Sequence, residues 1–293
     1  MMRDRSVVRP SRHGSRGAVL VLVLMITTIV AMIALQLALN AKEHVRRVQI
    51  LRDRAEAILQ MRSIESRLQF EMLTSNWVSI TERNGTPSFQ GLNLVGRAFE
   101  SSGVSVVMQD LSGLSVMPQP GRSAKDLALL FRDVGIEPRK AESAAQRLAE
   151  RQRELDAPPL QDLSDLIAQA GLDASDVDKL RPVATVYPLT SFNPLTAPVA
   201  VLRRVYSGLD LDNLMQLRKA NALTSASTVK ALSSIDEEFT VFSPGPAFWV
   251  DMESTFGSAS AGKESIFVFD PYVDQPVTIW SVRRKSLLTR VKP

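Results

Sequence analysis

From residue 18 to residue 35 the chain carries no charge, and Thr27 and Thr28 are its only polar side chains. At about 1.5 Å per residue this run nearly crosses a hydrocarbon layer of about 30 Å, and residues 36–39 complete it. Beyond it the pattern changes. Apolar residues recur at Val45, Val48, Leu51, Ala55, Ile58, Met61, Ile64, Leu68 and Met72, in steps of three and four. That spacing predicts one apolar stripe along a helix, with Arg46, Arg47, Arg52, Arg54, Arg62 and Arg67 on the other side. Neither Gly nor Pro occurs from residue 18 to residue 73, so nothing breaks the helix. One helix of roughly 80 Å follows, its first half apolar all round and its second half amphipathic.

The rest of the chain changes period twice. Residues 74–122 read as β with turns: "NGTP" at 84–87 is a turn signal, "VSVVMQ" at 104–109 has strand composition, and Gly113 marks a hairpin or bend. Residues 123–236 are helical in pattern. Ser123 is placed to cap a helix that Gly135 stops, and Pro138 opens a second that runs to the neighbourhood of Pro158. Gly171 closes a third, and Asp173 or Ser175 caps a fourth. Thr196 is the expected cap of the next, with Pro198 in its first turn, and "DLDNLMQLRKANA" and "SASTVKALSSIDEE" complete the set. Residues 238–290 return to strands: "FTVFS", "AFWVDMEST", "ESIFVFDPY" and "VTIWSVRRK". "GSASAG" at 257–262 reads as a flexible hairpin tip, and alternation through residues 277–283 predicts one buried face. The order is helix, strands, helices, strands: an α+β fold whose sheet is interrupted by a helical insertion.

Charge and composition narrow the functional classes. The chain of 293 residues has a formal net charge of +4. Arg3, Arg5, Arg9, Arg12 and Arg16 precede the apolar run beside a single acid, Asp4, and without residues 1–17 the basic and acidic residues balance. The body therefore makes no electrostatic case for nucleic acid. The Arg cluster places the N-terminus in the cytoplasm. The apolar run exceeds the 7–15 residues usual in a cleaved secretory signal, and a charged helix follows it where a small-residue cleavage site would stand. There is no Cys, so disulfides and thiolate metal sites are excluded. His13 lies in the leader and His44 just past the apolar run. No nucleophile–base spacing, phosphate loop or zinc motif is present, and no enzyme activity is expected.

The stretch "RHGSRGAVLVLVLMITT" at 12–28 joins a basic segment, a Gly and an uninterrupted apolar helix. It resembles a type IV prepilin signal. That resemblance implies cleavage between Gly17 and Ala18 by a prepilin peptidase and N-methylation of Ala18. Most members of the superfamily carry Glu at the fifth mature position, which here is Leu22. Among the pseudopilins of type II secretion, the protein K family of minor pseudopilins characteristically lacks that Glu, and this chain resembles it over most of its length. The "DWID"-like stretch common in that family is not matched by "LAERQRELDAPP", which has no Trp and only Asp156.

The resemblance implies a full set of expectations. Residues 1–17 are the leader, 18–39 the transmembrane part of the first helix and 40–75 its periplasmic part. Residues 76–122 and 237–293 form a pilin-like sheet, and 123–236 a SAM-like helical insertion. The chain is a single-pass inner-membrane protein with its C-terminal domain in the periplasm. It caps a pseudopilus with minor pseudopilins I and J, beside the major pseudopilin, the prepilin peptidase and the inner-membrane secretion platform. Some pseudopilins bind calcium, for which Asp210/Asp212 and Asp251/Glu253 are the candidates. Two alternatives remain. One is a minor pilin of a type IV pilus. The other is a membrane-anchored DNA-binding or uptake protein, because "SFNPLTAPVAVLRRVYSGLDLD" (191–212) resembles the opening of a helix-hairpin-helix module. Its hairpin has one Gly, and Asp210 and Asp212 stand where phosphate would be repelled.

Overall fold

The computed structural model describes residues 15–74, 81–83, 86–89, 92–117, 123–154, 160–220, 228, 232, 239–270 and 273–285. Helix α1 (Ser15–Thr74) runs unbroken for 60 residues, as the absence of Gly and Pro from residue 18 to residue 73 predicts. Three short strands follow, β1 (Thr81–Arg83), β2 (Thr86–Phe89) and β3 (Leu92–Asn93), paired antiparallel in that order. Arg83 pairs with Thr86, and the first two residues of "NGTP", 84 and 85, lie outside the described residues.

Strands β4 (Val95–Ser101) and β5 (Val104–Asp110) begin the main sheet. The chain leaves β5 through a 3-10 turn at Leu111–Gly113, capped by Asp110, where a hairpin or bend was expected. After β6 (Ser115–Val116) come α2 (Ala124–Asp133), α3 (Pro138–Arg151), α4 (Asp165–Ala170) and α5 (Ala174–Leu180). Strand β7 (Ala184–Thr185) pairs parallel with β6, and α6 (Val199–Val205) and α7 (Gly208–Lys219) complete the insertion. Strands β8 (Ala247–Phe256), β9 (Ala259–Phe269) and β10 (Val277–Lys285) then finish the sheet, whose order is β10-β9-β8-β5-β4 and whose pairs are all antiparallel.

Helix ends follow their local chemistry. The Ser123 side chain accepts from the Asp126 N–H, Pro138 sits in the first turn of α3, and Gly171 ends α4 with φ of 71°. Asp173 and Asp176 form a reciprocal capping box on α5. Three expectations are corrected. Helix α3 stops at Arg151, well short of Pro158. Thr196 does not cap α6, because Pro198 holds that position and the Thr196 hydroxyl donates elsewhere. "GSASAG" is not a flexible tip: Phe256 pairs with Ala259 across a two-residue turn, and Ser260–Gly262 are already in β9. The last predicted helix, "SASTVKALSSIDEE", falls almost wholly outside the described residues, and "FTVFS" supplies a single bridge, Phe192 to Thr240.

The sheet is a middle layer. On one face Val104, Val106, Met108, Phe248, Val250, Met252, Phe267 and Phe269 pack with Ala57, Met61, Ile64, Leu68 and Met72 of α1. On the other, Ala247, Trp249, Ile266 and Val268 meet Leu111 and Leu114 of the turn after β5 and Tyr187 and Leu189 of the insertion. Strand β10 is an edge, and its register shifts between Ile279 and Ser281. The bulge at Trp280 breaks the predicted alternation, and Ile279 and Trp280 are both exposed. The Trp280 ring turns to the insertion instead: its centroid lies 5.2 Å from that of Tyr187, and its N–H donates to the Gln161 carbonyl.

Candidate assembly surface

Over residues 19–39 every large apolar side chain of α1 is exposed. A helix apolar on all sides is stable only in lipid or against other helices. The helix is long and apolar enough to cross a membrane. Gly17 and Ala18 lie in its first turn, so the predicted processing junction has helical backbone. Leu22 is 59% exposed on the apolar helix.

The second half of α1 has two apolar faces, where the sequence suggested one stripe. Ala57, Met61, Ile64, Leu68 and Met72 are buried on the sheet. Val45, Val48, Leu51, Leu59 and Phe70 point to solvent, Val48 being 66% and Leu59 56% exposed. The sheet-facing row starts at Asp53, a polar residue in an apolar register. Its carboxylate accepts from the backbone N–H of Ser258 at 2.9 Å, from the Ser258 hydroxyl at 3.0 Å and from the Gln49 amide at 2.7 Å. The backbone hydrogen bond from Ser258 lowers its pKa, the Ser258 hydroxyl and Gln49 add to the effect, and burial opposes them. This contact ties the β8–β9 turn to α1. Gly257, with φ of 54°, leaves room for the carboxylate that a Cβ would strike. Further along, Gln60 lies 3.1 Å from the Ser254 hydroxyl, and Lys263 donates to Glu65 at 2.5 Å. Together these contacts fix the helix's register on the sheet.

At the opposite corner of the sheet, Asp110 is fully buried. It accepts from the Ser112 N–H and hydroxyl at 2.9 and 2.7 Å, the Thr196 hydroxyl at 2.8 Å, the Asn193 amide at 3.3 Å and the Gly245 N–H at 3.3 Å. Burial pushes its pKa up, against the pull of the Ser112, Thr196 and Gly245 donors. The Asn and Thr of the helix-hairpin-helix-like segment are thus turned inward. Sequence reasoning missed this role. The one available signal was an acid placed between a strand and a Gly-containing turn.

The remaining candidates are dispersed. Asp210 and Asp212 lie within α7 rather than on a loop, and Asp251 and Glu253 lie on β8. No group of three His, Cys, Asp or Glu able to hold a metal occurs among the described residues. In the helix before the hairpin, Arg204 reaches back to α2, donating to Asp133 at 2.6 Å and to the Asp126 carbonyl at 2.9 Å. His44 is exposed on α1.

No protein-family model matches this chain, and no curated protein matches it. Among solved structures it is similar to a chain of the GspK-GspI-GspJ complex from the enterotoxigenic Escherichia coli type 2 secretion system. The likeness covers 82% of this chain and all of that one, with a TM-score of 0.57 and 17% identity. At that identity the likeness is one of fold, in keeping with the helix-on-antiparallel-sheet arrangement described above.

Proposed function

We propose that this chain is a minor pseudopilin of the protein K type, a non-catalytic tip subunit of the pseudopilus of a type II secretion system. The observation that carries the reading is the fold shared over the full length of a chain from a complex of such subunits. Two features of α1 support it. The exposed row from Val45 to Phe70 continues the apolar surface beyond the membrane-length segment, as a helix that packs with its neighbours first in lipid and then in a filament requires. Leu22 stands where an extending subunit would carry Glu. In the mechanism, the precursor inserts with its N-terminus in the cytoplasm, is cut between Gly17 and Ala18, and is methylated on Ala18. It then joins minor pseudopilins I and J, with residues 123–236 forming a SAM-like cap over the tip and residues 76–122 and 237–293 the periplasmic sheet below it. The geometry does not favour nucleic acid: Asn193 and Thr196 of the helix-hairpin-helix-like segment donate to buried Asp110, and the hairpin carries Asp210 and Asp212.

N-terminal sequencing of the protein from cells with and without prepilin peptidase tests this. A mature chain starting at a methylated Ala18 only when the peptidase is present is the expected result. A chain starting at Met1 or Met2 in both strains refutes it.

A further inference from the structure

The insertion is built on two apolar cores. One gathers Leu127, Phe131, Leu148, Leu166, Val177 and Leu180 from α2–α5. The other gathers Leu195, Ala197, Leu202 and Leu214 around α6 and α7. Each core meets the sheet beside one buried sheet carboxylate. For the α6–α7 lobe it is Asp110, at the end of β5, which takes the Asn193 and Thr196 donors. Those residues lead into α6, and Arg218 of α7 grips the same loop through the carbonyls of Pro194 at 3.1 Å and Ala197 at 2.5 Å, so the whole lobe hangs from the loop that Asp110 holds. For the α2–α5 lobe it is Glu264 of β9, which pairs with Arg181 at the C-terminal end of α5 and accepts from the Trp249 indole at 2.8 Å. The Arg181 and Glu264 side chains are 12% and 8% exposed.

We propose that Asp110 and Glu264 are two separate latches, one for each lobe, so that either lobe can loosen from the sheet while the other stays seated. The two nodes share no residue. The links between the lobes are thin beside them. Val201 of α6 reaches into the first core and Phe192 touches both. Arg204 of α6 also donates to the Asp126 carbonyl and pairs with Asp133 of α2; with Asp133 55% exposed, that ion pair is of the solvent-screened kind that contributes little. A buried carboxylate that loses its donors is left partly unsatisfied, which costs far more than an exposed pair. The contacts that decide whether a lobe stays seated are therefore those to the sheet.

Hydrogen exchange of the full chain in nanodiscs, read by mass spectrometry, separates this from a single rigid insertion. Thr196→Val removes one Asp110 donor while keeping the side chain's shape, and Glu264→Gln removes the charge that Arg181 pairs with. Thr196→Val should speed exchange in α6 and α7 by about tenfold and leave α4 and α5 unchanged. Glu264→Gln should do the reverse. Strands β8 and β9 should keep their protection in both. Equal acceleration of both lobes by either variant overturns the proposal, as does no change in the lobe each variant targets. Should Glu264→Gln not fold, Arg181→Gln, which removes the guanidinium that Glu264 pairs with, carries the same expectations for α4 and α5.

Discussion

The two faces of α1 make opposite demands on mutation. Leu68 and Leu59 are the same residue type nine positions apart on one helix, so helix propensity cancels between them. Leu68 is 4% exposed and packed among the sheet-facing side chains, whereas Leu59 is 56% exposed. Truncating a buried leucine loses transfer free energy and leaves a cavity, together about 2–5 kcal/mol. Met61, Ile64 and Met72, also buried in that core, are held by the sheet and can close only part of the gap. Truncating Leu59 removes a side chain that is mostly in water, and surface changes of this kind stay within about 0.5 kcal/mol. Guanidinium unfolding of the full chain in detergent, followed by Trp fluorescence, should therefore lower the midpoint strongly for Leu68→Ala and hardly at all for Leu59→Ala, at unchanged slope. The second half of the prediction concerns assembly. Leu59→Ala combined with Val48→Ala removes two side chains, each worth about 1.5–3 kcal/mol when fully buried against a partner. Co-purification with pilin-like subunits should fall at least tenfold while the fold is intact. If Leu59→Ala destabilises the isolated chain as much as Leu68→Ala, or if the double variant assembles normally, the division of α1 into a folding face and an assembly face is wrong.

Two further outcomes follow from close contacts. Gly113→Ala would place a methyl group 2.7 Å from the backbone of Thr196 and Ala197; backbone cannot turn aside as a side chain does, so a loss of at least about 1–3 kcal/mol is expected from chemical unfolding, and a loss under about 0.5 kcal/mol would show that the loop is not seated there. Asp53 has a folded-state pKa below its ordinary 3.8 because of Ser258 and Gln49, so its contribution is present above about pH 4 and is lost as pH falls through the lowered value. Asp53→Asn should lower stability at pH 7 and flatten the acid limb of the unfolding midpoint below about pH 4, and an acid limb identical to that of the unsubstituted chain would contradict the assignment.

How much of this could be read from the chain depends on the range of the interactions involved. Helix ends were legible because Ser123, Asp173 and Gly171 act on backbone within a few residues. The long helix, the two groups of strands and the helices between them were legible for the same reason. Long-range polar contacts were not. Thr196 has the form and position of an N-cap, but its hydroxyl goes to a carboxylate 86 residues away. The hydrogen bond to buried Asp110 prevails because an unsatisfied buried carboxylate costs more than an uncapped helix end. The bulge at Trp280 was invisible because composition reports strand character, not register.

The most instructive difference lies in α1. Periodicity finds apolar positions but does not say what covers them, and a helix apolar on two sides offers two stripes that interleave. The stripe drawn from the sequence joined Val45, Val48, Leu51 and Ala55 to Met61, Ile64, Leu68 and Met72, whereas in the fold the second group meets the sheet and the first does not. The true sheet-facing row runs through Asp53 and Ala57, a charged residue and a small one, which hydrophobicity alone passes over. Asp53 belongs there because the turn at Gly257 and Ser258 brings donors to it. The displaced row of Val and Leu is then left uncovered within a single chain. An uncovered row that continues the surface of a membrane-length helix is unfavourable for a solitary protein and useful for one that packs beside its neighbours. The mismatch between pattern and burial is what the proposed assembly would account for, since neighbouring subunits would cover the row that this chain leaves exposed.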